Sequence, residues 1–168
     1  MDSRPAIAVT SGEPAGIGPE LCAMLAVRHA RAPFDARLVL LGDRDLLEAR
    51  AERIGLAPRY ADYTASTSGP AGAIEVWHRP LAAPATPGHP DPSNAMSVID
   101  ALRDACDACA SGAFDALVTA PVQKSTILDA GVPFTGHTEY FAARTGTPRV
   151  VMIDRKSTRL NSSHLGIS

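Results

Sequence analysis

The chain is short of aromatic residues (5 %, with a single tryptophan) and has only three cysteines in 168 residues. So few thiols do not build a disulfide scaffold, so an apolar core must hold the fold, and the hydrophobic content of 45 % can supply one. No apolar run approaches the roughly 18 residues of a membrane span, and no signal peptide precedes Ala6. Excess positive charge is missing as well. The formal net charge is −2, and no basic patch with interleaved aromatics appears, which argues against a nucleic-acid partner. What is left is a cytoplasmic protein with no membrane association, of a length that suits one domain of about 100–200 residues.

What is present is an alternation of short apolar runs with helical patterns, the mark of βαβ units and a mostly parallel sheet. Ala6 to Thr10 reads as a strand, followed by the turn Ser11 to Gly16 and a helix from Pro19 to about His29 with Leu21, Met24 and Leu25 as its apolar stripe. Leu38 to Leu41 is the next strand. Asp43 caps a helix through about Ile54 that stops at Gly55. Ala73 to Trp77 reads as a short strand, and Pro80 to Pro92, with five prolines, as an extended connector. A helix capped by Ser93 or Asn94 runs to Ala110 with Val98, Leu102, Ala105 and Cys109 on one face. Val150 to Ile153 begins another strand.

The end of the chain is of a different character. Asp154 to His164 (DRKSTRLNSSH) resembles a common sequencing-library adapter read as codons. Residues 154–168 are therefore expected to be foreign to the fold, leaving 1–153 as the native text, and His164 is assigned no role. Without that tail the chain is more acidic.

Candidate site residues concentrate between Phe114 and Phe141. Ala116 to Thr119 is a buried strand, and Pro121 opens a helix to Ala130 with Gly131 just beyond it. A Gly-rich turn then delivers His137 and Thr138 side by side at the next helix start, where free backbone N–H groups favour anions. Lys124 sits in the first turn of its helix, where a cation is poorly placed against the dipole, which suggests an anionic partner such as a substrate phosphate; a solvated lysine is the plainer alternative. Strand carboxyl ends are where such sheets place ligands. Gly12, Gly16 and Gly18 match neither the G-x-G-x-x-G nor the Walker pattern and read as a tight strand-to-helix turn, from which Glu13 can project into a cleft. Cys106 and Cys109 form a C-x-x-C inside a helix, a place for buried structural thiols and not for a redox pair. His29, His78 and His89 are expected on the surface.

Thr10 to Pro19 (TSGEPAGIGP), Leu117 to Lys124 (LVTAPVQK) and Phe134 to Tyr140 (FTGHTEY) resemble the 4-hydroxythreonine-4-phosphate dehydrogenase family, with relatives acting on four-carbon sugar-acid phosphates close behind. The resemblance spans Ala6 to Ile153. It implies an α/β/α fold like that of isocitrate and isopropylmalate dehydrogenases, a homodimer with sites lined by both subunits, and a small phosphorylated substrate. It also implies oxidation of a secondary alcohol by NAD with a divalent metal (Zn, Mg or Co) as Lewis acid, followed by loss of CO₂. By that resemblance His137 and Thr138 bind substrate. The family's three metal-binding histidines and most of its NAD contacts fall beyond the GHTE turn in polypeptide absent here, so no residue of this chain is assigned as catalytic, cofactor-binding or metal-ligating. The 168-residue chain is expected to be inactive, with sheet and interface left exposed. A different class, a genuine short protein that binds a phosphorylated acid without turning it over, is the alternative.

Overall fold

The computed structural model describes residues 4–66 and 69–151. The elements run β1 (Ala6–Thr10), α1 (Gly18–Arg31), β2 (Arg37–Gly42), α2 (Arg44–Arg53), β3 (Tyr60–Asp62), β4 (Ile74–His78), a 3-10 turn at Pro92–Asn94, α3 (Ala95–Ala110), β5 (Ala116–Thr119), α4 (Lys124–Asp129) and α5 (His137–Thr145). The strands form one five-stranded sheet in the order β3-β4-β2-β1-β5, every pair parallel. Strand alternation splits the core into two layers. Val9, Leu38 and Leu40 point one way and pack with Cys22, Ala26 and Leu47 of α1 and α2. Ala8, Val39 and Leu41 point the other way against Ala101, Ala105 and Ala108 of α3. The α/β class with a parallel sheet is therefore as the sequence predicts.

The face of α1 is not. Leu21 and Met24 are exposed at 44 % and 55 %, only Leu25 of the expected stripe packs against the core, and the buried positions include Cys22, Ala23, Ala26 and His29. Small side chains let the helix lie close on the sheet, and the hydrophobic count alone misled the choice of face. His29 is likewise buried and not on the surface, with its Nδ1 accepting from the Phe34 amide at 3.2 Å and its ring stacked on Phe34. Burial, then the charge of Arg4, holds this imidazole below its ordinary value. His78 and His89 are exposed as expected.

Asp43 caps α2 by accepting from Leu46 N–H at 2.9 Å. Neither Ser93 nor Asn94 caps α3 through its side chain. Asn94 instead spans 11 residues to bond the Ala83 amide and carbonyl, holding the proline-rich connector to the helix start. Strand β3 was not legible because Tyr60–Asp62 has no apolar run. The thiols of Cys22, Cys106 and Cys109 are all free, and burial raises each of them, Cys22 to about 12, so the C-x-x-C has a structural setting. Val150 and Val151 lie in no strand; Met152, Ile153 and the expected foreign tail lie outside the described residues.

Candidate functional site

Strand β5 leaves the sheet at Thr119, and its loop is locked to the turn after β1. The Ala120 amide donates to the Thr10 carbonyl at 3.0 Å, and the Glu13 amide donates to the Pro121 carbonyl at 2.9 Å. Pro121 is thus committed to the turn, and helix α4 starts at Lys124, later than the expected Pro121. Gly12 has φ 71°, and a Cβ there would lie 2.3 Å from the Pro121 carbonyl oxygen; one on Gly18 would lie 1.9 Å from that of Ser11. At these two glycines backbone packs directly against backbone, so neither position tolerates a side chain. Glu13 does not project into an open cleft. It is buried, its Oε1 accepts from Ala15 N–H at 3.1 Å, and burial pushes its carboxyl up despite that bond.

Helix α4 and the loop after it rest on α3 through Ile127 and Phe134, which join Val98, Ile99 and Leu102 in a third apolar cluster. Those anchors fix where α5 begins. Gly136 is its N-cap and offers no side chain to the helix end, so the first amides of α5 are left for another acceptor. His137 and Thr138 are the first two helical residues, both half-buried. The His137 ring packs edge-on against Phe134 and near Phe141, and its Nε2 is buried without a hydrogen-bond partner. Burial, then the Lys124 charge, holds its pKa below the ordinary value, so at neutral pH the imidazole is neutral.

Lys124 comes to the same place from α4. A Cβ on Gly136 would lie 3.3 Å from Lys124 Nζ and 2.8 Å from Glu139 Oε2, so the two side-chain ends converge over the Gly136 backbone. Lys124 is exposed and makes no ion pair among the described residues. The structure therefore brings Lys124, His137 and Thr138 together at one helix N-terminus: an ammonium, an imidazole, a hydroxyl and backbone donors, with the Glu139 carboxylate beside the ammonium. That set suits an oxyanion.

Sequence reasoning missed the arginines flanking this edge. Arg50 is 4 % exposed, its Nε donating to Glu20 Oε1 at 2.6 Å and its Nη2 to the Gly16 carbonyl, so it braces the glycine turn. Arg79 lies over the Trp77 ring at 4.3 Å and pairs with Asp104 at 2.6 Å. Their ion-pair partners, Glu20 and Asp104, lie 25 or more residues away in sequence, where no spacing rule reaches. Among the described residues no group of three or more His, Cys, Asp or Glu is placed to hold a metal ion, and no helix is long and apolar enough to cross a membrane.

Comparison with known proteins adds a family. The model of the family described as "Pyridoxal phosphate biosynthetic protein PdxA" matches residues 34–166. A 4-hydroxythreonine-4-phosphate dehydrogenase of Chromobacterium violaceum is 55 % identical over 153 residues, covering 91 % of this chain and 45 % of that protein. One from Burkholderia vietnamiensis is 52 % identical over 147 residues, with 88 % and 42 % covered. Among solved structures, a 4-hydroxythreonine-4-phosphate dehydrogenase of Klebsiella pneumoniae superposes with a TM-score of 0.73 at 32 % identity, covering 85 % of this chain and 45 % of that one. Another, from Burkholderia phymatum, gives 0.76 at 27 % identity, with 87 % and 45 % covered. The chain spans about half the length of the curated relatives it matches.

Proposed function

This chain belongs to the pyridoxal phosphate biosynthetic protein PdxA family, and from that membership we propose that it is part of a 4-hydroxythreonine-4-phosphate dehydrogenase. The reaction is NAD-dependent oxidation of 4-phosphooxy-threonine, then decarboxylation to 3-amino-2-oxopropyl phosphate, carried out by a homodimer. The 55 % identity to the Chromobacterium violaceum enzyme carries this reading. A sugar-acid phosphate such as threonate or erythronate 4-phosphate is the alternative substrate, and it meets the same oxyanion-binding chemistry.

The share of the reaction that these residues perform is substrate binding. Lys124 supplies a point charge to the phosphate, Thr138 a hydroxyl, and the first amides of α5 the remaining donors. His137 enters neutral, so one ring nitrogen donates and the other accepts; a substrate hydroxyl or phosphate oxygen would satisfy its unpartnered Nε2. The described residues do not fit the metal, since they contain no ligand cluster. No oxidative step is derived from them.

The test is a chimera. Residues 4–151 joined to the complementary half of the Chromobacterium violaceum relative should reduce NAD with 4-phosphooxy-threonine and release CO₂. A folded chimera that turns over only threonate or erythronate 4-phosphate would move the assignment to the alternative, and one that turns over neither would refute the reading. The 168-residue chain alone should show no metal-dependent NAD reduction.

A further inference from the structure

Strand β3 is an edge of the sheet: it pairs with β4 and with no other strand among the described residues. The Arg59 carbonyl accepts from the Ile74 amide at 3.3 Å, and the Tyr63 amide donates to the Val76 carbonyl at 3.0 Å. Backbone groups alternate between those two points, so Ala61 faces β4 while Tyr60 and Asp62 turn their N–H and C=O groups outward. An outward row of this kind is a template for a strand from another chain. A trough of about 630 Å³ lies beside it, lined by Tyr60, Ala61, Pro58, Pro70 and Arg44 among others, and leaves room for such a strand.

One side chain crosses that edge. Arg44, the first residue of α2, donates from Nη2 to the Tyr60 carbonyl at 3.2 Å and from Nη1 to the Asp62 carboxylate at 2.5 Å. It is anchored elsewhere too: its amide donates to His78 Nδ1 at 3.1 Å and its Nε to Glu48 Oε1 at 3.0 Å. Stability does not account for this arrangement. The Asp62 side chain is 88 % exposed, and an ion pair so open to solvent contributes little. What the contacts fix is position. A planar fork is held across both outward residues of a three-residue strand, and it takes the Tyr60 carbonyl that an incoming strand would need. Pro58 and Pro70, which line the trough and carry no N–H, act in the same sense.

We propose that Arg44 is an edge guard: it occupies the outward side of β3 and so keeps a second copy of this chain from adding a strand there. The device governs association and stands apart from the oxyanion site.

Hydrogen exchange on the 168-residue chain tests this, with Arg44→Ala and Arg44→Met beside the parent; methionine keeps an apolar stem and removes the donors. In both variants the Tyr60 and Asp62 amides should become at least about tenfold more protected as protein concentration rises, and differently labelled copies should show through-space contacts at β3. In the parent, protection of these two amides should not depend on concentration. A folded variant without that dependence would overturn the proposal, as would association that leaves the two amides unprotected, or a parent that behaves like its variants. Loss of cooperative unfolding in both variants counts equally against it, since Arg44 would then be a structural tie.

Discussion

Replacing Gly12 by alanine should destabilise the protein by about 3 kcal/mol, and the same change at Gly55 by only about 1 kcal/mol. Both glycines have left-handed backbones, φ 71° and 69°, so both variants carry the cost of placing an L side chain there, roughly 1–2 kcal/mol. They differ in what the new methyl meets. At exposed Gly55 nothing lies within 4 Å, whereas at buried Gly12 the Pro121 carbonyl oxygen would be 2.3 Å away, with Ala120 backbone at 3.0 Å. Backbone cannot swing aside like a lysine tip. The β5–α4 loop has to move, and overpacking of this kind adds roughly 1–3 kcal/mol. Urea unfolding of both variants beside the parent measures the difference directly. Because the displaced loop carries Lys124, the Gly12→Ala protein should also bind the phosphorylated substrate more weakly. Equal midpoints for the two variants would refute the claim that the glycine turn is shaped by contact with Pro121.

Lys124→Ala should weaken binding of 4-phosphooxy-threonine several-fold, about 1 kcal/mol for an exposed charge, read by calorimetry; unchanged affinity would remove Lys124 from the site. His137 and His29 both resist protonation in the folded state because burial disfavours their charged forms. The unfolded chain takes up those protons near the ordinary imidazole value, so stability should fall as pH drops below about 6.5, and His137→Gln should flatten that slope in denaturation midpoints. Glu75 is 2 % exposed, accepts from Arg37 at 2.8 and 2.6 Å and from the Gly69 amide at 2.9 Å, so Glu75→Gln should cost about 3 kcal/mol in thermal unfolding. A melting point within error of the parent would contradict it.

Much of the layout was legible before the structure. Asp43, Gly55, Gly131 and the apolar runs of β1, β2 and β5 mark element ends by local rules that need no tertiary context, as does the adjacency of His137 and Thr138 at a helix start. Errors arose where tertiary contact overrode a local rule. Pro121 looks like a helix opener, but its carbonyl is claimed by Glu13, so the helix starts at Lys124. Asn94 looks like a cap, but it is spent on Ala83. The Glu13 carboxylate closes its own turn.

By itself, then, the order of residues determined a parallel α/β sheet, the family, and that His137 and Thr138 stand side by side at a helix start. Hydrophobic period, capping chemistry and motif spacing are short-range, so they survive without a fold. Which face of α1 is buried, that Lys124 swings over Gly136 beside His137, and that β5 is left as an open edge were decided only in three dimensions. Those outcomes depend on small residues permitting close approach and on backbone groups 100 or more residues apart competing for the same partners, as Ala120 does for the Thr10 carbonyl.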